Sequence, residues 1–235
     1  MTTESAALAI EAAGLVRVLG GAQVVDGLDL RIPVGGVHGL LGCRGAGKTT
    51  TLRLLAGALR PDGGSARILG LDIATEAATV RARVGFPGRA GLLHTDLTAA
   101  ENLLRLARLL DYSRAGARTR ADQLLTALGL LEASGRPVAT YPEPLRRRLA
   151  LAASIVVRPE LVLLDEPTAG LDAAGRGQVE EVVRALARAG TTVLLATRSP
   201  TVAALLADGV WILESGRVVA RCTPGALRAA AGDPA

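Results

Sequence analysis

Lysine is almost absent from this chain of 235 residues. Of its 27 lysine and arginine residues, only Lys48 is a lysine. A compact ammonium group and the broad planar fork of a guanidinium are not interchangeable at a tight binding site. The sequence therefore indicates that position 48 requires lysine and that arginine does not replace it there.

Cysteines and long apolar runs are also scarce. The two cysteines, Cys43 and Cys222, are too few for a disulfide framework and favour a reducing compartment. The longest apolar runs, such as residues 149–157, fall far short of the ~20 residues of a spanning helix. Residues 1–5 lack the basic start of a secretory signal. We therefore expect a chain that is soluble by itself and meets a membrane only through a partner.

Aromatic residues make up only 2% of the chain, whereas the net charge is +5. The positive charge is spread along the sequence and is densest at Arg146, Arg147 and Arg148. Without a basic tail or interleaved aromatics, binding of single-stranded nucleic acid is not indicated, and we expect no nucleic-acid partner. A basic face near anionic lipid headgroups fits this charge, as does plain solubility.

A glycine-rich stretch, GCRGAGKTT at residues 42–50, fits the pattern G-x-x-x-x-G-K-[ST]. The apolar residues 37–41 before it predict a buried strand, and residues 51–59 after it predict a helix. In that context backbone N–H groups at a helix N-terminus cradle phosphates. We expect Lys48 to reach the β- and γ-phosphates and Thr49 to ligand Mg²⁺. A glycine turn that binds nothing is the alternative, which motif and context together disfavour. The candidate nucleotide-binding residues here are Gly42, Gly45, Ala46, Gly47, Lys48, Thr49 and Thr50.

Two adjacent carboxylates follow the apolar residues 161–164. Ligands of open α/β sheets bind beyond the carboxyl ends of such strands. Asp165 is therefore a candidate Mg²⁺ ligand, and Glu166 is a candidate catalytic residue that polarises water for attack on a γ-phosphate. An Asp-Glu pair alone also fits a strand that runs into a polar loop, but downstream of a phosphate loop it predicts a nucleotide site.

Strand and helix patterns alternate along most of the chain. The predicted strands are 8–18, 24–32, 37–41, 66–69, 84–86, 161–165, 192–196, 210–213 and 218–221. The predicted helices are 51–59, 77–83, 102–110 behind a capping box at 98–101, 121–131, one starting at Pro144, 173–187, 202–206 and 224–231.

This rhythm predicts an α/β fold with a mostly parallel sheet covered on both faces. We expect a P-loop NTPase core, an N-terminal antiparallel β subdomain and an inserted α-helical subdomain. Residues 1–235 would form one domain, with the core in 1–97 and 158–235 and the helical subdomain in 98–157.

Over nearly its whole length the chain resembles a nucleotide-binding subunit of an ABC transporter. Walker A matches at 42–49, Walker B at 161–165 with Glu166, and the D-loop at 170–172 with Asp172. The residues at 84–88, 96–103 and 141–149 are most similar to drug- and antibiotic-exporter ATPases of the daunorubicin-resistance type.

The resemblance implies ATP and Mg²⁺ as ligands and a separate membrane permease as partner. It also implies a head-to-tail dimer, with itself or with another nucleotide-binding chain. Each site then combines the Walker motifs of one chain with the signature loop of the other. The implied location is cytoplasmic, peripheral at the inner face of the cell membrane.

The signature loop departs from the family pattern. The expected Ser-Gly-Gly reads Pro142-Glu143-Pro144. The two prolines have no N–H to donate to a phosphate, and Glu143 adds a like charge. Pro144 still suits the start of a helix.

Three further positions are altered. The Q-loop glutamine aligns with Arg89, the switch histidine with Arg198, and the adenine-stacking aromatic with Leu19. A guanidinium neither ligands a cation nor accepts a proton. The two arginines fit a site rebuilt to grip nucleotide without hydrolysis, or decay of hydrolysis with binding retained, and we favour decay.

The sequence thus predicts an ATP-binding subunit of an exporter, an ABC-type ATPase whose hydrolysis is slow or absent. The alternative is a non-catalytic nucleotide-binding regulatory or scaffold protein derived from an ABC ATPase. A soluble ABC protein of translation or DNA repair is a third option, but those usually carry tandem cassettes or long insertions.

Overall fold

The computed structural model describes residues 7–89, 91–109 and 111–230. The strands are β1 (Leu8–Leu19), β2 (Ala22–Pro33), β3 (Val37–Leu41), β4 (Gly63–Ile68), β5 (Leu71–Asp72), β6 (Val84–Gly85), β7 (Leu161–Asp165), β8 (Thr192–Thr197), β9 (Gly209–Glu214) and β10 (Arg217–Cys222). The helices are α1 (Lys48–Leu55), α2 (Ala77–Arg83), α3 (Ala99–Arg108), α4 (Arg114–Ala127), α5 (Glu143–Ile155), α6 (Ala173–Arg188), α7 (Pro200–Leu206) and α8 (Pro224–Ala230), with a 3₁₀ turn at Val138–Thr140.

The N-terminal part forms an antiparallel sheet in the order β2-β1-β4-β5. Its inward side chains, such as Ile10, Leu15 and Leu28, are fully buried and pack in one cluster with Leu52 of α1. The predicted antiparallel β subdomain is confirmed, and it covers the helix that follows the glycine-rich loop.

The core sheet has the order β10-β9-β3-β8-β7-β6, and its strands from β9 to β6 pair in parallel. Strands β3 and β8 are buried along their whole length because helices or the second sheet cover both faces. In register, Leu41 pairs with Thr197 and Asp165 pairs with Ala196. The carboxyl ends of β3, β7 and β8 therefore meet at one edge, and the predicted mostly parallel α/β fold is confirmed.

Helices α3, α4 and α5 lie between β6 and β7 in the chain. The predicted capping box is present. The Thr98 side chain accepts from the backbone N–H of Glu101, and the Glu101 side chain accepts from the backbone N–H of Thr98. Buried Asn102 ties α3 to the preceding turn by bonding the backbone of His94. The apolar faces of these helices share a cluster with Val162. The division into 1–97, 98–157 and 158–235 stays a prediction.

The predicted bounds of two helices are wrong. Helix α1 begins at Lys48, earlier than residue 51, and ends before residue 59. Helix α4 begins at Arg114 rather than 121 and ends at Ala127, before residue 131. Both helices stop ahead of a glycine in the left-handed region, Gly57 at φ +63° and Gly129 at φ +61°, where side chains are disfavoured.

Strand β5 and the 3₁₀ turn were not predicted, since two or three residues carry no readable period. Residues 110 and 231, predicted helix ends, and residues 1–5, used to argue against a secretory signal, lie outside the described residues. Among the helices that the structure describes, none combines the length and the apolar character needed to cross a membrane.

Candidate functional site

The glycine-rich loop wraps around the ammonium of Lys48. Its Nζ donates to the carbonyl oxygens of Gly42 at 2.7 Å and Cys43 at 2.9 Å, and the residue is only 6% exposed. An ammonium has three donors, so one remains for a ligand. Among the described residues, no carboxylate oxygen lies within ion-pair distance of this buried ammonium.

Two glycines are required where the loop touches neighbouring backbone. A Cβ on Gly47, which has φ +99°, would lie 2.5 Å from the carbonyl oxygen of Val24. A Cβ on Gly42 would lie 2.4 Å from that of Leu213. The left-handed turn at Gly47 immediately precedes α1, so the loop presents N–H groups at a helix N-terminus, which is an anion-binding arrangement.

Thr49 and Asp165 meet at the edge of the core sheet. The Thr49 hydroxyl donates to Oδ2 of Asp165 at 2.6 Å. Hydroxyl and carboxylate oxygens are the ligands that Mg²⁺ prefers, and this cation keeps several waters and uses few protein ligands. The donor set at this position therefore fits a magnesium ion.

Both carboxylate oxygens of Glu166 are engaged. Oε1 accepts from Nε of Arg198 at 3.0 Å, and Oε2 accepts from the Thr197 hydroxyl at 3.2 Å. The Glu166 backbone has φ +46°, and its N–H donates to the carbonyl of Ala196 at 2.9 Å. The side chain of Glu166 is 23% exposed and that of Arg198 is 55% exposed.

These groups surround one open cavity of about 500 Å³. The predicted residues that line it are Gly45, Gly47, Lys48, Thr49, Thr50, Asp165, Glu166 and Arg198. Gly42 and Ala46 lie in the same loop but do not line the cavity. The cavity thus combines a glycine-rich loop around a buried ammonium, a hydroxyl–carboxylate oxygen pair and a carboxylate beside an arginine.

The family model described as ABC transporter matches residues 25–169, more than half of the chain. The chain belongs to the ABC transporter family. Within that family it is an ATP-binding subunit, as the sequence predicts.

Relatives with related sequences align with nearly the whole chain. It is 50% identical over 224 residues to the daunorubicin/doxorubicin resistance ATP-binding protein DrrA of Streptomyces peucetius, covering 95% of this chain and 68% of the relative. It is 38% identical to the Nod factor export ATP-binding protein I of Paraburkholderia xenovorans, covering 93% of this chain and 72% of the relative. The resemblance to the daunorubicin-resistance type is confirmed.

Solved structures share the fold. The chain aligns with cbiO1 from Clostridium perfringens, part of an ABC transporter complex, at a TM-score of 0.79 and 24% identity, covering 95% of this chain and 91% of that one. An ATP-binding cassette dimer bound to ADP and Pi aligns at a TM-score of 0.82 and 22% identity, covering 92% and 98%.

Two residues predicted to contact nucleotide, Arg89 and Leu19, are not part of the lining of the cavity around Lys48. The guanidinium of Arg89 donates to the carbonyls of Arg81 at 2.6 Å and Val84 at 3.2 Å. Burial of this group lowers its pKa below its ordinary value. Leu19 ends β1 and is 36% exposed. In this conformation neither side chain lines the cavity of the Walker residues.

The residues at the predicted signature position, Pro142, Glu143 and Pro144, begin α5. Pro142 is the N-cap and Pro144 follows within the first turn, where a proline is compatible with helix initiation. Glu143 pairs with Arg147 at 2.9 Å and with Arg146 at 3.5 Å. These ion pairs lower the pKa of Glu143 below its usual value, the hydrogen bond from Arg147 being the largest cause.

Asp172, the predicted D-loop aspartate, has a local structural role. The side chain of Asp172 accepts from the backbone N–H of Gly175 at 2.8 Å and caps α6. Sequence reasoning missed other residues of the cavity lining, Val24, Arg44, Arg147 and Ala169. The run of three arginines at 146–148 was the available signal for Arg147, but it indicated charge without a target.

Proposed function

We propose that this chain is the ATP-binding subunit of an ABC exporter that binds ATP with Mg²⁺ and hydrolyses it slowly or not at all. It works with a separate membrane permease at the cytoplasmic face, in a head-to-tail dimer of nucleotide-binding chains. The names of its relatives, which include a daunorubicin/doxorubicin resistance protein and a Nod factor export protein, support export as the direction of transport.

Nucleotide binding is carried by one arrangement, the buried Lys48 beside the Thr49–Asp165 pair. Lys48 supplies positive charge to the β- and γ-phosphates, while the loop N–H groups donate to them. Thr49 and Asp165 supply oxygen ligands to Mg²⁺, which neutralises phosphate charge when it is bound. Each of these groups is intact and lies in one cavity.

Slow hydrolysis is supported by the pairing of Glu166 with Arg198 at 3.0 Å. Arg198 and Thr197 each occupy one acceptor site on Glu166, which leaves fewer of its lone pairs for a water. Arginine stays protonated, so Arg198 donates to a phosphate or a carboxylate but never accepts a proton. The carboxylate of Glu166 is therefore paired with the guanidinium of Arg198.

The signature segment adds a second obstacle in a dimer. Pro142 and Pro144 offer no N–H to the γ-phosphate of the opposite chain. Glu143 adds a negative charge, and two unit charges at 4 Å repel by about 4 kcal/mol at an effective dielectric constant near 20. Pairing with an unaltered nucleotide-binding chain would repair only one of the two sites and would leave Arg198 in place.

Thermal unfolding with ATP and Mg²⁺ tests the binding claim. We expect ATP to raise the melting temperature of the wild-type chain, because a ligand that binds only the folded state stabilises it by mass action. Lys48→Ala should lose that shift. Equal melting temperatures with and without ATP in both chains would overturn nucleotide binding.

A non-catalytic regulator or scaffold derived from an ABC ATPase is the second candidate. The Pro142-Glu143-Pro144 sequence favours it, since that segment keeps its helix and loses its phosphate donors. Co-expression with a candidate permease chain separates the two functions. A transporter subunit supports ATP-dependent export that Lys48→Ala removes, whereas a scaffold supports export equally with either chain.

A further inference from the structure

Arg147 belongs both to the signature helix α5 and to the phosphate cavity of the same chain. Its Nε donates to Oε1 of Glu143 at 2.9 Å, and its Nη1 approaches the carbonyl of Ala169 at 3.4 Å. The side chain is 45% exposed and lines the same cavity as Lys48 and Glu166. The family resemblance implies that the signature segment serves the opposite chain, so this placement within one chain is a separate observation.

The neighbouring arginines have different surroundings. Arg146 also pairs with Glu143, at 3.5 Å, and is equally exposed at 45%, but it lines only a neighbouring cavity, which Arg147 lines as well. Arg148 donates to Gln178 at 2.8 Å and to the carbonyl of Leu128 at 3.1 Å, which ties α5 to α6. Of these three arginines, only Arg147 reaches the lining of the Lys48 cavity.

The charges that line this cavity favour a polyanion. Arg44, Lys48, Arg147 and Arg198 are cationic, and only Asp165 and Glu166 are anionic. Both carboxylates already have internal donors, Thr49 for Asp165 and Arg198 for Glu166. A guanidinium offers five N–H groups in a planar fork that matches phosphate oxygens.

We propose that Arg147 binds the phosphate chain of the nucleotide held in its own chain, and that Glu143 is the counter-ion of Arg147 when nucleotide is absent. The proposal rests on the proposed function, since it needs ATP in the Lys48 cavity. Glu143 is 58% exposed, so water solvates its carboxylate once Arg147 turns to the phosphates. The altered signature residue thus competes with nucleotide for one arginine.

Binding of a fluorescent, non-hydrolysable ATP analogue with Mg²⁺ tests this assignment. The chain is kept dilute, and sedimentation verifies that it is monomeric. Arg147→Ala should weaken binding by about tenfold or more, the effect of losing hydrogen bonds to a charged group. The matched control Arg146→Ala, which loses an equally exposed ion pair with Glu143, should bind within about twofold of wild type.

Glu143→Gln should bind the analogue more tightly than wild type, because it releases Arg147. Arg147→Lys keeps the charge without the fork and should bind with intermediate affinity, which also tests the assignment if Arg147→Ala unfolds. Equal affinities of the 146 and 147 variants, or an effect that appears only when the chain dimerises, would overturn the role of Arg147. If the wild type and Lys48→Ala both fail to bind, the proposed function fails instead.

Discussion

Arg198 Nε lies 3.0 Å from Oε1 of Glu166, so the cation that follows β8 is paired with the carboxylate that follows β7. The pairing is a consequence of register, since Asp165 lies opposite Ala196 in the parallel sheet. Arg198, at the position expected to sense the γ-phosphate, is therefore paired with Glu166, the residue expected to activate water. This contact is the physical basis of the slow hydrolysis that we propose for this site.

Arg198→His should raise the rate of phosphate release. Histidine restores a group that can both donate and accept a proton and frees Oε1 of Glu166. A positioned acid–base group contributes roughly 10²–10⁴-fold. We expect a smaller rise, about tenfold, because the signature segment remains altered. Arg198→Lys keeps a cation at this position and should release phosphate at the wild-type rate. Equal rates for Arg198→His and Arg198→Lys would contradict the proposal that Arg198 slows hydrolysis by pairing with Glu166.

Gly47→Ala should destabilise the fold and abolish ATP binding. Its Cβ would lie 2.5 Å from the carbonyl oxygen of Val24, and a left-handed alanine costs about 1–2 kcal/mol before any clash. Gly45→Ala is the matched control, because Gly45 also has positive φ but its Cβ would have no neighbour within 4 Å. Urea denaturation should show the larger loss of unfolding free energy in Gly47→Ala. An equal loss of unfolding free energy in both variants would mean that the left-handed backbone, and not the contact with Val24, causes the destabilisation.

The stability of the chain should fall as the pH drops below about 6.5. Burial lowers the pKa of His38 from its ordinary 6.5, and Nε2 contacts the carbonyl of Gly35 at 2.8 Å. Nδ1 is buried without a partner in the described structure, so a protonated ring would carry an unsatisfied N–H. The unfolded chain therefore takes up the proton first, and acid favours unfolding.

His38→Gln should remove this part of the pH dependence. The unfolding free energy, measured in urea between pH 7.5 and 5.5, should change less with pH than in the wild type. His94→Gln, at the exposed second histidine, is the control and should keep the wild-type slope. If both variants keep that slope, another group causes the pH dependence.

The fold was predictable because its signals are local. Short apolar runs mark β3, β7 and β8, and the glycine-rich loop and the Asp165–Glu166 pair stand directly at strand ends. Parallel pairing then brings those ends to one edge without further information. The helix ends were less predictable, since the leucine spacing continues past Gly129 although the backbone there is left-handed.

The targets of the arginine side chains were not predictable. Alignment placed Arg89 at a nucleotide, whereas its guanidinium donates to the carbonyls of Arg81 and Val84. Arg147 was part of a basic cluster with no assigned partner, yet it lines the cavity around Lys48. An arginine head lies several bonds from its backbone, so sequence position identifies the charge but not the pocket it enters.

The most direct test of slow hydrolysis is steady-state phosphate release at saturating ATP and Mg²⁺, compared between the wild type and Glu166→Gln. The substitution removes the carboxylate and keeps the size of the side chain. The paired Glu166 and Arg198 predict a wild-type rate close to background and nearly equal to that of the variant. Wild-type turnover near the roughly 10 s⁻¹ typical of enzymes, abolished in Glu166→Gln, would contradict the account.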